Sequence, residues 1–255
     1  MKKPQKNHRR TSSLVLLVVL MSSFLYACSP FYISNTVFAP LFDEAGQIKA
    51  IGTTGYSGFG FQAGISVTDN VGLVAGISGT RHADEVKGNI AEGGLCYYMK
   101  DEKFGKVELQ AGFGTGKSEA LSGYYFNFNN EYFSSTYYWG KFNRLYIQPS
   151  FGYTFEKIEL SISSRFSWVN INQIKSTPSS LSIRNSKLNG FFMEPAVTIG
   201  FGSQTAKFFF QGGMSVPPSY PKFDFDLMLM EIGVKLSLNT SGKEKNGQIN
   251  NGQLH

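Results

Sequence analysis

Apolar and polar residues alternate one by one along most of this chain. Ile158, Leu160, Ile162, Phe166 and Trp168 share one parity, while Glu159, Ser161, Ser163, Arg165 and Ser167 fill the other. Leu145, Ile147, Phe151, Tyr153 and Phe155 oppose Arg144, Tyr146, Gln148, Ser150 and Thr154 in the same way. Val107, Leu109, Ala111 and Phe113 likewise oppose Lys106, Glu108, Gln110 and Gly112. A period of two places alternate side chains on opposite faces of a β-strand. Ten such segments follow, near 47–54, 58–68, 71–79, 88–99, 104–116, 140–155, 157–170, 189–202, 205–215 and 224–238. No amphipathic helical stretch of useful length competes with them.

The connections have a pattern too. The second, fourth, sixth and eighth are short: 68–70, 100–103, 156–157 and 203–205. The others are mostly longer, notably 117–139, 171–188 and 216–223, although the first, near 55–57, is short. Short turns on one side and longer loops on the other predict an all-β, antiparallel up-and-down barrel of about ten strands, with eight to twelve compatible with the pattern. Membrane barrels of this type put the short turns in the periplasm.

Alternation alone allows two barrels. A soluble, lipocalin-like barrel would turn its apolar face inward around a ligand. A membrane barrel would turn it outward to lipid. The polar parity is rich in Gly, Ser and Gln, which suits a narrow interior, and the apolar parity carries large aromatics, as lipid-facing girdles do. The inward set would then include Arg144, Glu159, Arg165, Glu194 and Glu231, with Glu92, Lys106, Glu108, Lys207 and Lys235. Both signs are present, so ion pairs can offset the cost of burying them. At this strand number side chains fill most of the interior, which argues against a large open pore.

The last segment, Glu231-Ile-Gly233-Val-Lys-Leu236-Ser-Leu238, resembles the assembly signal of outer-membrane barrels. The resemblance implies the barrel-assembly machinery and outer-membrane lipid as partners. The tail at 239–255 is polar and rich in Asn and Gly, and is expected to be disordered.

The N-terminus reads as an address. Residues 1–13 carry Lys and Arg without acid, and the apolar run from Leu14 to Met21 is too short to span a membrane as a helix. Leu25-Tyr26-Ala27-Cys28 resembles the lipobox of bacterial lipoproteins, which implies cleavage after residue 27 and acylation of Cys28 (a palmitate-type chain). Residues 1–27 are then a signal peptide. Residues 28–46, with two prolines and no sustained period, read as a lipidated tether leading to the barrel at 47–238. Cys28-Ser-Pro-Phe-Tyr, Asn35-Thr and Ala39-Pro-Leu-Phe resemble the opening of small, mostly uncharacterised outer-membrane lipoproteins of Gram-negative bacteria. An even strand number returns the C-terminus to the side where the barrel begins, which places the expected anchor in the periplasmic leaflet.

Processing changes the charge. The 255 residues carry a formal +6, but five of the 24 Lys and Arg lie in 1–27, leaving 19 against 18 acidic residues, a net of +1. No electrostatic case for nucleic acid remains. Once Cys28 carries lipid, Cys96 has no partner and no disulfide is expected.

Candidate chemistry is sparse. Ala111 to Ser118 resembles a loose phosphate loop, but it runs along a strand with no helix to follow. His82, with Ser78 and Asp84 or Glu85, supplies the residue types of a membrane-interface hydrolase without diagnostic spacing. No cofactor or metal set is apparent, and catalysis is not expected. The segment 124–142 holds ten aromatics, among them Tyr124, Tyr125, Tyr132, Tyr137, Tyr138 and Trp139. Either they extend the neighbouring strands above the membrane, or they form a recognition surface for a glycan or a partner protein. The sequence thus points to a lipid-anchored outer-membrane barrel with a structural or recognition role. A periplasmic carrier of an apolar ligand is the alternative, and a lipid hydrolase a remoter one.

Overall fold

A computed structural model describes residues 31–82, 86–101, 105–122, 136–155, 157–177, 188–219, 221, 223 and 225–240. These form ten strands: β1 (Gln47–Gly55), β2 (Gly58–Ser66), β3 (Val71–His82), β4 (Val86–Asp101), β5 (Gly105–Ser122), β6 (Thr136–Thr154), β7 (Ile158–Thr177), β8 (Leu188–Gly202), β9 (Ala206–Met214) and β10 (Met228–Asn239). Each pairs antiparallel with its sequence neighbours, and β1 pairs with β10, from Gln47 opposite Asn239 to Gly55 opposite Glu231. The barrel is closed, so every strand has a paired neighbour on both sides.

The parity of the sequence sets the faces. Outward positions form an apolar band: Val107, Leu109 and Phe113 on β5, Leu145, Ile147 and Phe151 on β6, Ile162, Phe166 and Trp168 on β7 are all exposed. Inward positions on the same strands, such as Glu108, Gln110, Gln148, Ser150, Ser163 and Arg165, are buried. A soluble barrel would have these faces exchanged.

The two ends differ. One, the turn end, carries the short connections 67–70, 102–104, 155–157 and 203–205, together with the start of β1 and the finish of β10. The other, the loop end, carries two short connections, 56–57 and 83–85, and the three long ones, 123–135, 178–187 and 215–227. The wall is uneven there: β1, β2 and β9 have 9 residues, whereas β5, β6 and β7 have 18, 19 and 20. A membrane needs only ~9–11 residues per strand, so β5–β7 rise well past the apolar band. Their outward positions there turn polar, with Thr115, Lys117, Glu119 and Lys141 exposed. Much of the expected loop 117–139 is therefore strand, closed by the pair Ser122–Thr136.

One expectation needs correcting. Residues 31–42 do not form a tether outside the folded part. Phe31, Tyr32, Val37, Phe38, Leu41 and Phe42 are buried, and the segment runs inside the barrel. Its first residues lie at the loop end, where Tyr32 bridges Phe225 in the β9–β10 connection. Its last reach the turn end, where Ala45 donates to Asp69 and Asp43 pairs with Lys106. A barrel of about eight strands can be filled by its own side chains; ten strands leave an axial gap, and an extended segment fills it.

Candidate functional site in the lumen

An extended segment in a barrel exposes every peptide group with no strand beside it, so those groups need other partners. Here the wall supplies side chains. Gln62 donates to Thr36 O at 3.0 Å, Gln110 and Gln148 each donate to Phe38 O at 2.8 Å, and Gln211 both donates to Val37 O and accepts from Val37 N. These glutamines come from β2, β5, β6 and β9, so they clamp the segment from around the circumference. A primary amide carries both a donor and an acceptor, which suits it to a peptide bond.

Two charged layers flank this amide ring. Toward the loop end, Arg144 pairs with Glu92, and Arg165 Nε lies 3.1 Å from Glu194. The plug completes this layer: Asn35 Oδ1 accepts from Arg144 at 2.8 Å and Arg165 at 2.9 Å, while Asn35 Nδ2 donates to Glu92 at 2.9 Å. Tyr32 OH donates to Glu194 and accepts from Arg144. The guanidinium of Arg165 also donates to the carbonyls of Asn35 and Thr36. Two arginines this deeply buried would cost several kcal/mol each without such pairing. Toward the turn end, Lys235 donates to Glu159 at 2.6 Å and to Ala39 O at 3.2 Å, with Lys207 beside Glu159 at 3.8 Å. Lys49 donates to Leu41 O and Glu108 accepts from Leu41 N, both at 2.6 Å. Back on the loop-end side of the ring, Glu231, opposite Gly55, accepts from Thr36 Oγ1.

The apolar residues of the plug fit the wall just as closely. Phe31 and Tyr32 pack among Ile90, Phe142, Val169 and Phe192, and Phe42 packs with Tyr98 and Val74. Leu41 takes a positive φ of 56° as the segment bends toward the turn end. Gly152 makes room for it: a Cβ there would sit 2.3 Å from Leu41 Cδ1. Three gaps between plug and wall, one lined by Val37 and Glu159, one by Phe38 and Gln148 and one by Ile33 and Ser118, measure ≈ 20, ≈ 10 and ≈ 20 Å³. Each has room for about one water.

At the turn end Asp43 faces three lysines: Lys106 at 2.8 Å, Lys100 at 3.4 Å and Lys49 at 3.5 Å. Burial pushes its carboxyl up, but Lys49 and Lys106 outweigh that and hold it at about 2.

The structure gathers the residues singled out from sequence unevenly. Arg144, Glu159, Arg165, Glu194 and Glu231 all lie buried in the lumen. Trp139 is exposed on β6, Tyr138 is half-buried and Tyr137 lies on the same strand. Tyr124, Tyr125, Tyr132, Cys28, Asp84 and Glu85 lie outside the described residues, as does the tail from 241. Cys96 is free and buried. Ser78 points inward and accepts from Asn35 Nδ2 at 3.2 Å. The glycines of 111–116 belong to β5, with no helix after them. The plug residues enter the sequence reading only as a tether, not as part of the lumen. Their signal was the ring of inward glutamines, whose amides have no reason to face an apolar ligand.

No protein-family model and no curated protein matches the sequence. Among solved structures, the N-terminal β-barrel domain of Pseudomonas aeruginosa OprF is similar at 11% identity and a TM-score of 0.35, covering 76% of this chain and 99% of that one. The translocator domain of the autotransporter NalP from Neisseria meningitidis is similar at 10% identity and a TM-score of 0.40, covering 89% and 95%.

Proposed function

We propose that this chain is an outer-membrane barrel, anchored by lipid at Cys28 and closed by its own N-terminal segment, which acts at the cell surface through its loops. The observation that carries this reading is the pairing of an exposed apolar band with a polar, occupied lumen. Exposed patches on soluble monomers rarely exceed a few hundred Å², and a band around a whole barrel exceeds that unless lipid covers it. The lipocalin-like alternative loses its ligand site, because residues 31–42 occupy the lumen and the gaps beside them hold about one water each. The same filling disfavours bulk conduction. Ser78, tied to Asn35 inside the barrel, gives the hydrolase reading no exposed nucleophile.

Anchoring follows from the lipobox. The thiol of Cys28 would displace the headgroup phosphate ester of a phospholipid. A thioether to diacylglycerol forms, and the phosphorylated headgroup leaves with the thiol proton. Water then hydrolyses the bond between residues 27 and 28. A surface role is supported by the tall wall of β5–β7, which lifts Tyr138 and Trp139 toward the loops, where rigid rings suit recognition of a glycan or a protein.

The test separates strands from anchor. The Cys28→Ala chain, given an unlipidated signal, is expected in the outer-membrane pellet after a high-pH wash. Its recovery as soluble periplasmic protein would contradict the membrane reading.

A further inference from the structure

The direction of the plug has a consequence for the anchor. Short turns and the closing β1–β10 pair mark the periplasmic end of an outer-membrane barrel. Residues 31 and 32 lie at the opposite end: Tyr32 bridges Phe225 in the β9–β10 connection, and the amide of Asp226 donates to Tyr32 O at 2.9 Å. Phe31 packs with Ala120, near the upper end of β5. We propose that the acyl anchor on Cys28 sits in the outer leaflet, at the external mouth of the barrel, rather than in the periplasmic leaflet. This rests on the lipid-anchor reading above.

Reach decides between the leaflets. Four peptide units separate Cys28 from Tyr32, and a fully extended chain spans at most ~3.6 Å per residue, or about 14 Å. The apolar band of such barrels is ~25 Å tall. A thioether at Cys28 therefore cannot return to the periplasmic headgroups from Tyr32, whichever path the chain takes. Doubling back through the lumen is blocked, because Phe142, Phe192, Arg144 and Arg165 already pack around the plug. A way out exists at the loop end. The wall is lowest at β1, β2 and β9, and Tyr32 is held at this end of the barrel by the β9–β10 connection. Four residues suffice to cross a low rim and place acyl chains among the outer-leaflet lipids. The barrel thus serves as the conduit by which its own lipidated N-terminus reaches the surface, and the plug is the trace of that passage.

The experiment places a recognition sequence for a site-specific protease between Ser29 and Pro30 of the full chain, in cells fed an alkyne-tagged fatty acid. Adding the protease to intact cells is expected to remove the acyl tag from the barrel and shift its mobility. Cleavage only after the outer membrane is permeabilised overturns the proposal. An uncut barrel that never carried the tag overturns it differently, by removing the anchor itself. Should the insertion prevent folding, seen as loss of the heat-modifiable band on a gel, Ser29→Cys replaces it. Membrane-impermeant maleimide is then expected to label intact cells, since Cys96 is buried. Labelling that requires permeabilisation, or none at all, overturns the proposal.

Discussion

Single residues in this lumen act mainly by satisfying one another. Asn35 is the clearest case: its small amide accepts from two arginines and donates to Glu92, so one plug side chain links β4, β6 and β7. Asp43 makes the corresponding link at the turn end, with three lysines. Its carboxyl is held near 2 against an ordinary 3.8. A depressed carboxylate contributes stability that is complete above its unfolded pKa and is lost as pH falls through the folded one. Asp43 therefore stabilises the plugged barrel above about pH 4 and stops doing so toward pH 2. Thermal unfolding of wild type and Asp43→Asn, followed by heat modifiability across that window, checks this. The wild type is expected to lose stability relative to the variant as pH falls from 4 to 2, and parallel curves would contradict the pairing. The inward arginines were legible from parity alone. Their partners on the plug were not, because Asn35 lies in a segment without a period.

At the scale of the element, the strands follow from period two, and so does the side of the wall each residue faces. The alternation predicted ten strands and the structure has ten. What the pattern understated was length. Beyond the apolar band the outward residues of β5 are Thr115, Lys117 and Glu119, and the inward ones include Gly116, Ser118 and Ala120. The contrast between the faces fades there, so the expected end near residue 116 came six residues before the observed Ser122. The same band predicts depth-dependent costs. Ile162→Arg, in the exposed apolar band of β7, is expected to cost ~2–4 kcal/mol of barrel stability, whereas Thr115→Arg, above the band, costs ~0–1. Urea titrations of both variants in lipid vesicles measure the difference. Equal costs, or a tolerated Ile162→Arg, would contradict a lipid-facing band.

The whole molecule is a barrel threaded by its own beginning. Neither periodicity nor composition reveals this. Residues 31–42 have no repeat because their neighbours are the inward faces of several strands rather than one adjacent strand. Several of their peptide groups are met by side chains far away in sequence: Gln211, for example, bonds Val37 across 174 positions. The tether reading failed for that reason. The threaded path also explains features of the wall that a hollow barrel would not need. Glutamines ring the midsection, Gly152 yields to Leu41, and the buried Arg144 and Arg165 share the Asn35 Oδ1 acceptor. The most direct test of this account is a disulfide between Tyr32→Cys and Phe225→Cys, with Cys96→Ala to remove the native thiol. The two backbones pair as adjacent parallel segments, a spacing of ~4.8 Å that lies within disulfide range. Oxidation of native membranes is expected to cross-link the pair and join the N-terminal segment to the β9–β10 connection. A folded, heat-modifiable barrel in which these cysteines stay free would contradict a plug that enters from the loop end.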